Sequence, residues 1–177
     1  MGEAESARPE VKVRKARAGD LEQYAKNVQS VADEGGYIFV ERVTEERKKS
    51  MGKLFKDKAC LVIVAEVVEG GGRKLVGSLT LARYGDAEKT RHVRALGMLV
   101  VRGYRGRGIG TKLMGYALEW ARAKKGVEKV SLGVFSNNKR AFSLYERFGF
   151  KVEGVRRKQC HIAGKHEDEI DMALFVK

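Results

Sequence analysis

The sequence is short of most features that mark out a special class of protein. Its 177 residues include two cysteines, one proline, one tryptophan and three histidines. Cys60 and Cys160 belong to no Cys-x-x-Cys pair, which excludes a disulfide framework and a cysteine zinc site and predicts two reduced thiols in a cytoplasmic protein. The longest apolar run, residues 59–65, is too short to cross a bilayer, and the start has no apolar signal region, so no membrane partner is expected. Residues 1–6 fit a myristoylation consensus, but so short a pattern arises often by chance. There is no Gly-Lys-Ser/Thr phosphate loop, no G-x-G-x-x-G dinucleotide turn, no zinc-finger spacing and no aromatic-rich RNA-binding signature. No metal is expected.

What is present describes one domain. A chain that is 43% hydrophobic and 33% charged has enough apolar residues for a single well-filled core. Residues 1–10 are polar and unpatterned, as in a mobile tail, which leaves residues 11–177 for the domain. Lys and Arg number 36 against 23 Asp and Glu, a net charge of +13. That excess fits an acidic partner such as ribosomal RNA, a channel that draws in a highly anionic cofactor, or a solvated basic surface, the last being the simplest.

The most informative stretch is residues 95–124. An apolar run from Ala95 to Val101 meets Arg102-Gly103-Tyr104-Arg105-Gly106-Arg107-Gly108-Ile109-Gly110, and a long amphipathic run opens at Thr111. This reads as strand, glycine-rich turn and helix. The unpaired N–H groups of a helix start form an anion site. Here the N–H groups of residues 106–111 can cradle a pyrophosphate, with Arg105 and Arg107 supplying positive charge. The plainer alternative is a loop that only turns the chain.

Around this stretch, periodicity predicts a strand over residues 11–16, a helix carrying Leu21, Tyr24, Ala25, Val28 and Val31, and a second short helix from Thr44 to about Phe55. Strands follow over 60–68 and 75–82 around a glycine turn at 69–73, then the central strand over 92–101. The helix over 111–124 presents Leu113, Ala117, Trp120 and Ala121 on one face, with Trp120 read as core. A strand over 127–135, a helix over 139–148 closed by Gly149, and strands over 150–155 and 169–176 complete the order. The result is an α/β fold, a mixed sheet with helices on both sides.

Two motifs make this order specific. Arg105-Gly106-Arg107-Gly108-Ile109-Gly110 after an apolar strand, followed by Asn138-Lys139-Arg140-Ala141-Phe142-Ser143-Leu144-Tyr145-Glu146-Arg147-Phe148-Gly149-Phe150, resembles the acetyl-CoA-binding core of the GNAT superfamily of N-acetyltransferases. The resemblance extends from about Val11 to Val176 and implies the acyl-CoA N-acyltransferase fold, with a central sheet of about seven strands. It implies acetyl-CoA as cosubstrate and transfer of an acetyl group to a primary amine, either a protein N-terminus or a small molecule, by direct attack in a ternary complex. It also implies that the central strand separates from its neighbour, leaving backbone groups of Met98, Leu99 and Val100 free for the pantetheine arm, and that the first two helices wall the acceptor site. A different class stays open: a basic CoA-binding or RNA-associated module without turnover. A homodimer and ribosome association also stay open, with no motif for either.

Amine attack on a thioester needs an oxyanion donor, a proton acceptor and a proton donor for the departing thiolate. The resemblance gives the oxyanion to the backbone near Leu99. Tyr145 is expected to protonate the thiolate, since a phenol stays protonated at neutral pH. Its alternative is a core aromatic. Asn138 offers an amide donor and acceptor to the pantetheine or pyrophosphate region, and it is equally a helix N-cap. With Gly106, Gly108, Ile109, Gly110 and Thr111 these complete the expected site. Many family members carry a glutamate in the central strand, where this chain has Ala95, Leu96 and Gly97. His92 is therefore the nearest candidate base, with His161, His166 or Glu41 acting through a water, or solvent itself through a water chain, as alternatives.

Overall fold

The computed structural model describes residues 10–177. Residues 1–9 of the expected tail, and the myristoylation pattern with them, lie outside the described residues. Along the chain run β1 (Lys12–Lys15), α1 (Leu21–Ala32), α2 (Glu45–Lys56), β2 (Leu61–Glu69), β3 (Gly72–Arg83), β4 (Val93–Val100), α3 (Ile109–Ala123), β5 (Lys129–Phe135), α4 (Lys139–Arg147), β6 (Lys151–Ile162) and β7 (Lys165–Phe175). The strands form one sheet in the order β1-β2-β3-β4-β5-β7-β6. Every neighbouring pair is antiparallel except β4–β5, which the α3 crossover makes parallel.

Helical spacing decides which residues each helix buries. On one face of the sheet α3 packs Ile109, Leu113, Met114, Ala117, Leu118 and Ala121 into the larger core, with Trp120 partly buried beside it. On the other face Tyr24 and Val28 of α1 meet Val62, Val64 and Leu75, and Met51, Leu54 and Phe55 of α2 close over them. A bulge between β2 and β3 is bridged from α1, where Leu75 N–H donates to Gln23 Oε1 (3.0 Å) and Asn27 Nδ2 donates to Leu75 O (2.8 Å). Buried peptide groups are thereby kept paired. Thr44 caps α2, its hydroxyl accepting from Arg47 N–H at 3.2 Å.

Two hairpins run longer than the sequence signals predict. The β2–β3 turn is only Gly70 and Gly71, at φ +58° and +77°, so Glu69 and Gly72 already pair. β6 and β7 reach 12 and 11 residues around a turn at Ala163 and Gly164. β6 is an edge strand exposed along most of its length, so no alternation of buried apolar residues announces it. Among the described residues no helix is long and apolar enough to cross a membrane.

The feature that matters for function lies at the centre of the sheet. β4 and β5 pair only at Val93/Lys129, Arg94/Val130 and Ala95/Ser131, although both strands continue. Beyond Ala95 they part, and the space between them opens toward the start of α3.

Candidate active site

A cavity of about 1110 Å³ occupies this opening, walled by β4, the glycine loop, α4 and the end of β5. Its backbone chemistry follows from strand parity. Val101 N–H donates to Val76 O at 2.9 Å, and the β3–β4 register is unbroken, so bonded pairs alternate and Leu99 pairs with Ser78. Leu99 therefore points its N–H and C=O at β3, while Met98 and Val100 point theirs into the opening. The Val100 carbonyl is already occupied by Arg105 Nε at 2.8 Å. Met98 keeps both of its gap-facing groups.

The glycine loop meets this strand end. Gly106 and Gly108 hold φ +79° and +76°, backbone that a side chain strains. Gly110 serves differently, because a Cβ there would lie 3.1 Å from Leu144 Cδ2 and 3.7 Å from Met98 Cε. Its lack of a side chain lets α4 and β4 close on the helix start. The α3 ladder opens with Lys112 N–H donating to Gly108 O at 3.0 Å, so the N–H groups of Ile109, Gly110 and Thr111 precede it, and all three residues line the cavity. These are the donors an anion would meet.

Tyr145 sits on α4 in the same wall, 6% exposed, its ring 5.8 Å from that of Phe150. Burial pushes its phenol up to about 12. Asn138 lines the cavity as well and caps α4, with Oδ1 accepting from Ala141 N–H at 3.3 Å. Both of its expected positions, at the helix start and beside the opening, are the same position.

Several expected residues are engaged otherwise or stand elsewhere. Arg105 borders the cavity, yet its guanidinium is taken up by Glu34 through bonds of 2.8 and 2.7 Å and lies 4.7 Å over the Tyr37 ring. It fastens the loop to the segment after α1 and is no free cation for a phosphate. Arg107 is outside the cavity wall, 5.2 Å over the Tyr104 ring. His92 precedes β4 at the end away from the opening and borders neither this cavity nor the smaller one that adjoins it. His161 and His166 face each other across the β6–β7 hairpin, and neither they nor Glu41 line the wall.

Other charged residues line the cavity. Lys139, Arg140 and Arg147 of α4 line the cavity, and Arg140 Nη1 lies 3.9 Å from where a Cβ of Gly106 would stand. Glu169 of β7 lines it too, 7% exposed, with Oε2 accepting from Arg156 Nη1 at 3.1 Å. A second cavity of about 410 Å³ adjoins the first and shares Leu96, Gly133 and Glu169 with it. The available signal for Glu169 was Gly133, a lone glycine inside a strand, which marks a close approach by another group.

A mixed sheet that splits beside a glycine-led helix start defines the acyl-CoA N-acyltransferase class of fold. The chain belongs to the acetyltransferase (GNAT) family, whose model matches residues 28–150. It is 29% identical over 99 residues to the L-amino acid N-acetyltransferase AaaT of Escherichia coli, covering 56% of this chain and 60% of that protein. It is 36% identical over 94 residues to the N-alpha-acetyltransferase RimI of Mycobacterium tuberculosis, covering 52% and 56%. The chain thus matches less than two thirds of the length of these curated relatives. The fold matches that of a GNAT superfamily phosphinothricin acetyltransferase from Sinorhizobium meliloti in complex with acetyl-CoA, with TM-score 0.82, 16% identity, and coverage of 93% of this chain and 88% of that one.

Proposed function

We propose that this protein is an acetyl-CoA-dependent N-acetyltransferase that acetylates a primary amine, a protein N-terminus or a small molecule, within a ternary complex. The observation that carries the reading is the parted β4–β5 pair, which leaves Met98 with unpaired backbone groups beside the open start of α3. An extended arm with amide groups can pair with such a strand, and a pyrophosphate fits the N–H groups of Ile109, Gly110 and Thr111 with Arg140 alongside. Bound acetyl-CoA supplies an acetyl thioester and a thiolate leaving group.

The remaining roles belong to the chain. With the pyrophosphate at the loop, the reacting end of the arm lies deeper than Val100, which assigns the oxyanion to Met98 N–H in preference to Leu99. Tyr145 faces the departing sulfur as its hydrogen-bond donor. A phenol at about 12 is a weaker acid than the thiol it serves. Full transfer to a thiolate of ordinary pKa ~8.5 is uphill by about 5 kcal/mol, so Tyr145 donates as the proton leaving the acylated nitrogen replaces its own through water. Asn138 orders the arm from the cap of α4. Cys60 and Cys160 are free thiols, in keeping with a cytoplasmic enzyme.

The test pairs calorimetric titration with acetyl-CoA and thiol release in the presence of n-butylamine, spermidine, free amino acids and an Ala-Gly-Gly-Gly peptide. Saturable one-to-one binding with amine-dependent release supports the reading. Binding without release from any amine in a broadened panel makes the protein a CoA-binding module, and no binding overturns the cofactor site itself.

A further inference from the structure

We propose that Glu169 is the general base that takes the proton from the acceptor ammonium, reaching the reaction centre through the place where β5 has no side chain. The inference rests on the acetyltransferase reading above. Glu169 belongs to β7, and β5 lies between β7 and the opening. A Cβ built on Gly133 of β5 would fall on Glu169 Oε1, closer than any real contact permits. The carboxylate thus crosses β5 and occupies the volume that a residue-133 side chain would fill.

Its surroundings fit the task. Gly133 is two residues beyond Ser131, the last residue of β5 paired with β4, so the carboxylate stands just past the point where the strands part. Arg156 Nη1 holds Oε2, while Oε1 has no hydrogen-bond partner among the described residues. Glu169 and Gly133 form the shared wall of the two cavities, and an amine entering from the smaller one meets the carboxylate before the opening. Arg156 also pairs with Asp171 at 3.0 Å, and Lys129 with Glu153 at 2.7 Å. The smaller cavity therefore presents three carboxylates, Glu153, Glu169 and Asp171, against two cations, Lys129 and Arg156. On a chain of +13 the lining of this cavity is thus net negative by one charge. From the other side α4 presents Lys139, Arg140 and Arg147 to the larger cavity.

The bound ammonium gives one proton to Glu169 Oε1, and the freed nitrogen lone pair forms the C–N bond to the acetyl carbon. The C–S bond breaks with its electron pair on sulfur, which takes a proton from Tyr145. The second nitrogen proton returns through water to Tyr145, and Glu169 releases its proton to solvent. One proton is liberated per amide formed.

The test uses Glu169→Gln and the paired variant Glu169→Ala with Gly133→Glu, which moves the carboxylate to β5 in the same volume. Acetyl-CoA affinity by calorimetry stays within about twofold in both, because the carboxylate serves the amine. For n-butylamine and the Ala-Gly-Gly-Gly peptide, kcat/KM of Glu169→Gln falls about a hundredfold near neutral pH. In that variant log kcat/KM climbs with a slope of about one per pH unit toward the amine's own pKa, because only free neutral amine reacts, and it converges there on the flatter wild-type profile. The paired variant recovers at least about tenfold over Glu169→Ala. A deficit that is equal at every pH, or a Gln variant as fast as wild type, overturns the proposal. Should the Gln variant not bind acetyl-CoA, the paired variant decides: one that binds acetyl-CoA yet stays as slow as Glu169→Ala also overturns it. Wild-type protein that releases no thiol with any amine instead overturns the acetyltransferase reading, and this role with it.

Discussion

Arg105 and Glu34 join the glycine loop to the end of α1 through two bonds of 2.8 and 2.7 Å across 71 positions of the chain. Both side chains are mostly buried, at 22% and 17% exposure, and Tyr37 lies under the guanidinium. A fork-to-carboxylate pair of this kind fixes geometry as much as it supplies energy. Arg105→Ala and Glu34→Ala should each lower stability by about 1–3 kcal/mol. The double variant should fall short of their sum by about 1 kcal/mol in urea unfolding, the coupling expected of a direct pair.

Gly108→Glu places a carboxylate at the helix start and a side chain at φ +76°. The backbone strain costs about 1 kcal/mol, which a folded domain tolerates. The charge is the larger effect, because it stands where a phosphate would accept the N–H groups of α3. Calorimetry should show acetyl-CoA affinity reduced by about a hundredfold or more while circular dichroism stays native.

Tyr145→Phe separates proton donation from packing. The ring remains against Phe150, so the affinity for acetyl-CoA should hold while kcat falls by about a hundredfold. Stability gives an independent reading. The folded phenol at about 12 lies above its unfolded value near 10, so the stability from keeping it neutral is complete below about pH 10 and is lost as pH rises toward 12. The full loss is about 3 kcal/mol. Urea unfolding on either side of that window should show the wild type losing this amount more than the Phe variant.

At the other end of the pH scale the Arg14 cluster governs. Its guanidinium bonds Asp20 at 2.7 and 2.9 Å and Glu66 at 2.6 Å, which holds both carboxyls below their ordinary values. Depressed carboxyl values give stability that is present above the unfolded values near pH 4 and is lost as pH falls through the folded ones. Arg14→Met should cost about 3–5 kcal/mol at neutral pH by leaving two partly buried carboxylates without their partner. It should also flatten the acid limb of the unfolding curve.

The fold was legible where apolar residues recur with a period. The α3 stripe from Ile109 to Ala121 and the alternation of Val130, Leu132 and Val134 name their own buried faces, and the Arg105 to Gly110 run names the turn between strand and helix. At the candidate site, sequence and structure meet where a position depends on the local backbone, as at Gly108, which takes φ +76° at the start of α3, and at Asn138, which caps α4. Where a role depends on what stands opposite, local sequence is silent. Arg105 reads as a phosphate ligand until Glu34 is seen to hold it. Which of Leu99 and Met98 turns its backbone groups into the opening follows from a parity set by the pairing with β3. Glu169 is one acid among several in the run from Glu167 to Asp171, and only the empty place at Gly133 distinguishes it.

The sheet is, in effect, one strand short. Three residue pairs tie the half made of β1 to β4 to the half made of β5, β6 and β7, and the seam beyond them is left for an extended guest. A guest that binds only the closed fold adds about 2.7 kcal/mol when present at about a hundred times its dissociation constant. On the acetyltransferase reading, that guest is acetyl-CoA. Occupancy of the seam would then set part of the protein's resistance to heat and proteases, because the two halves of the sheet would open only after the guest had left.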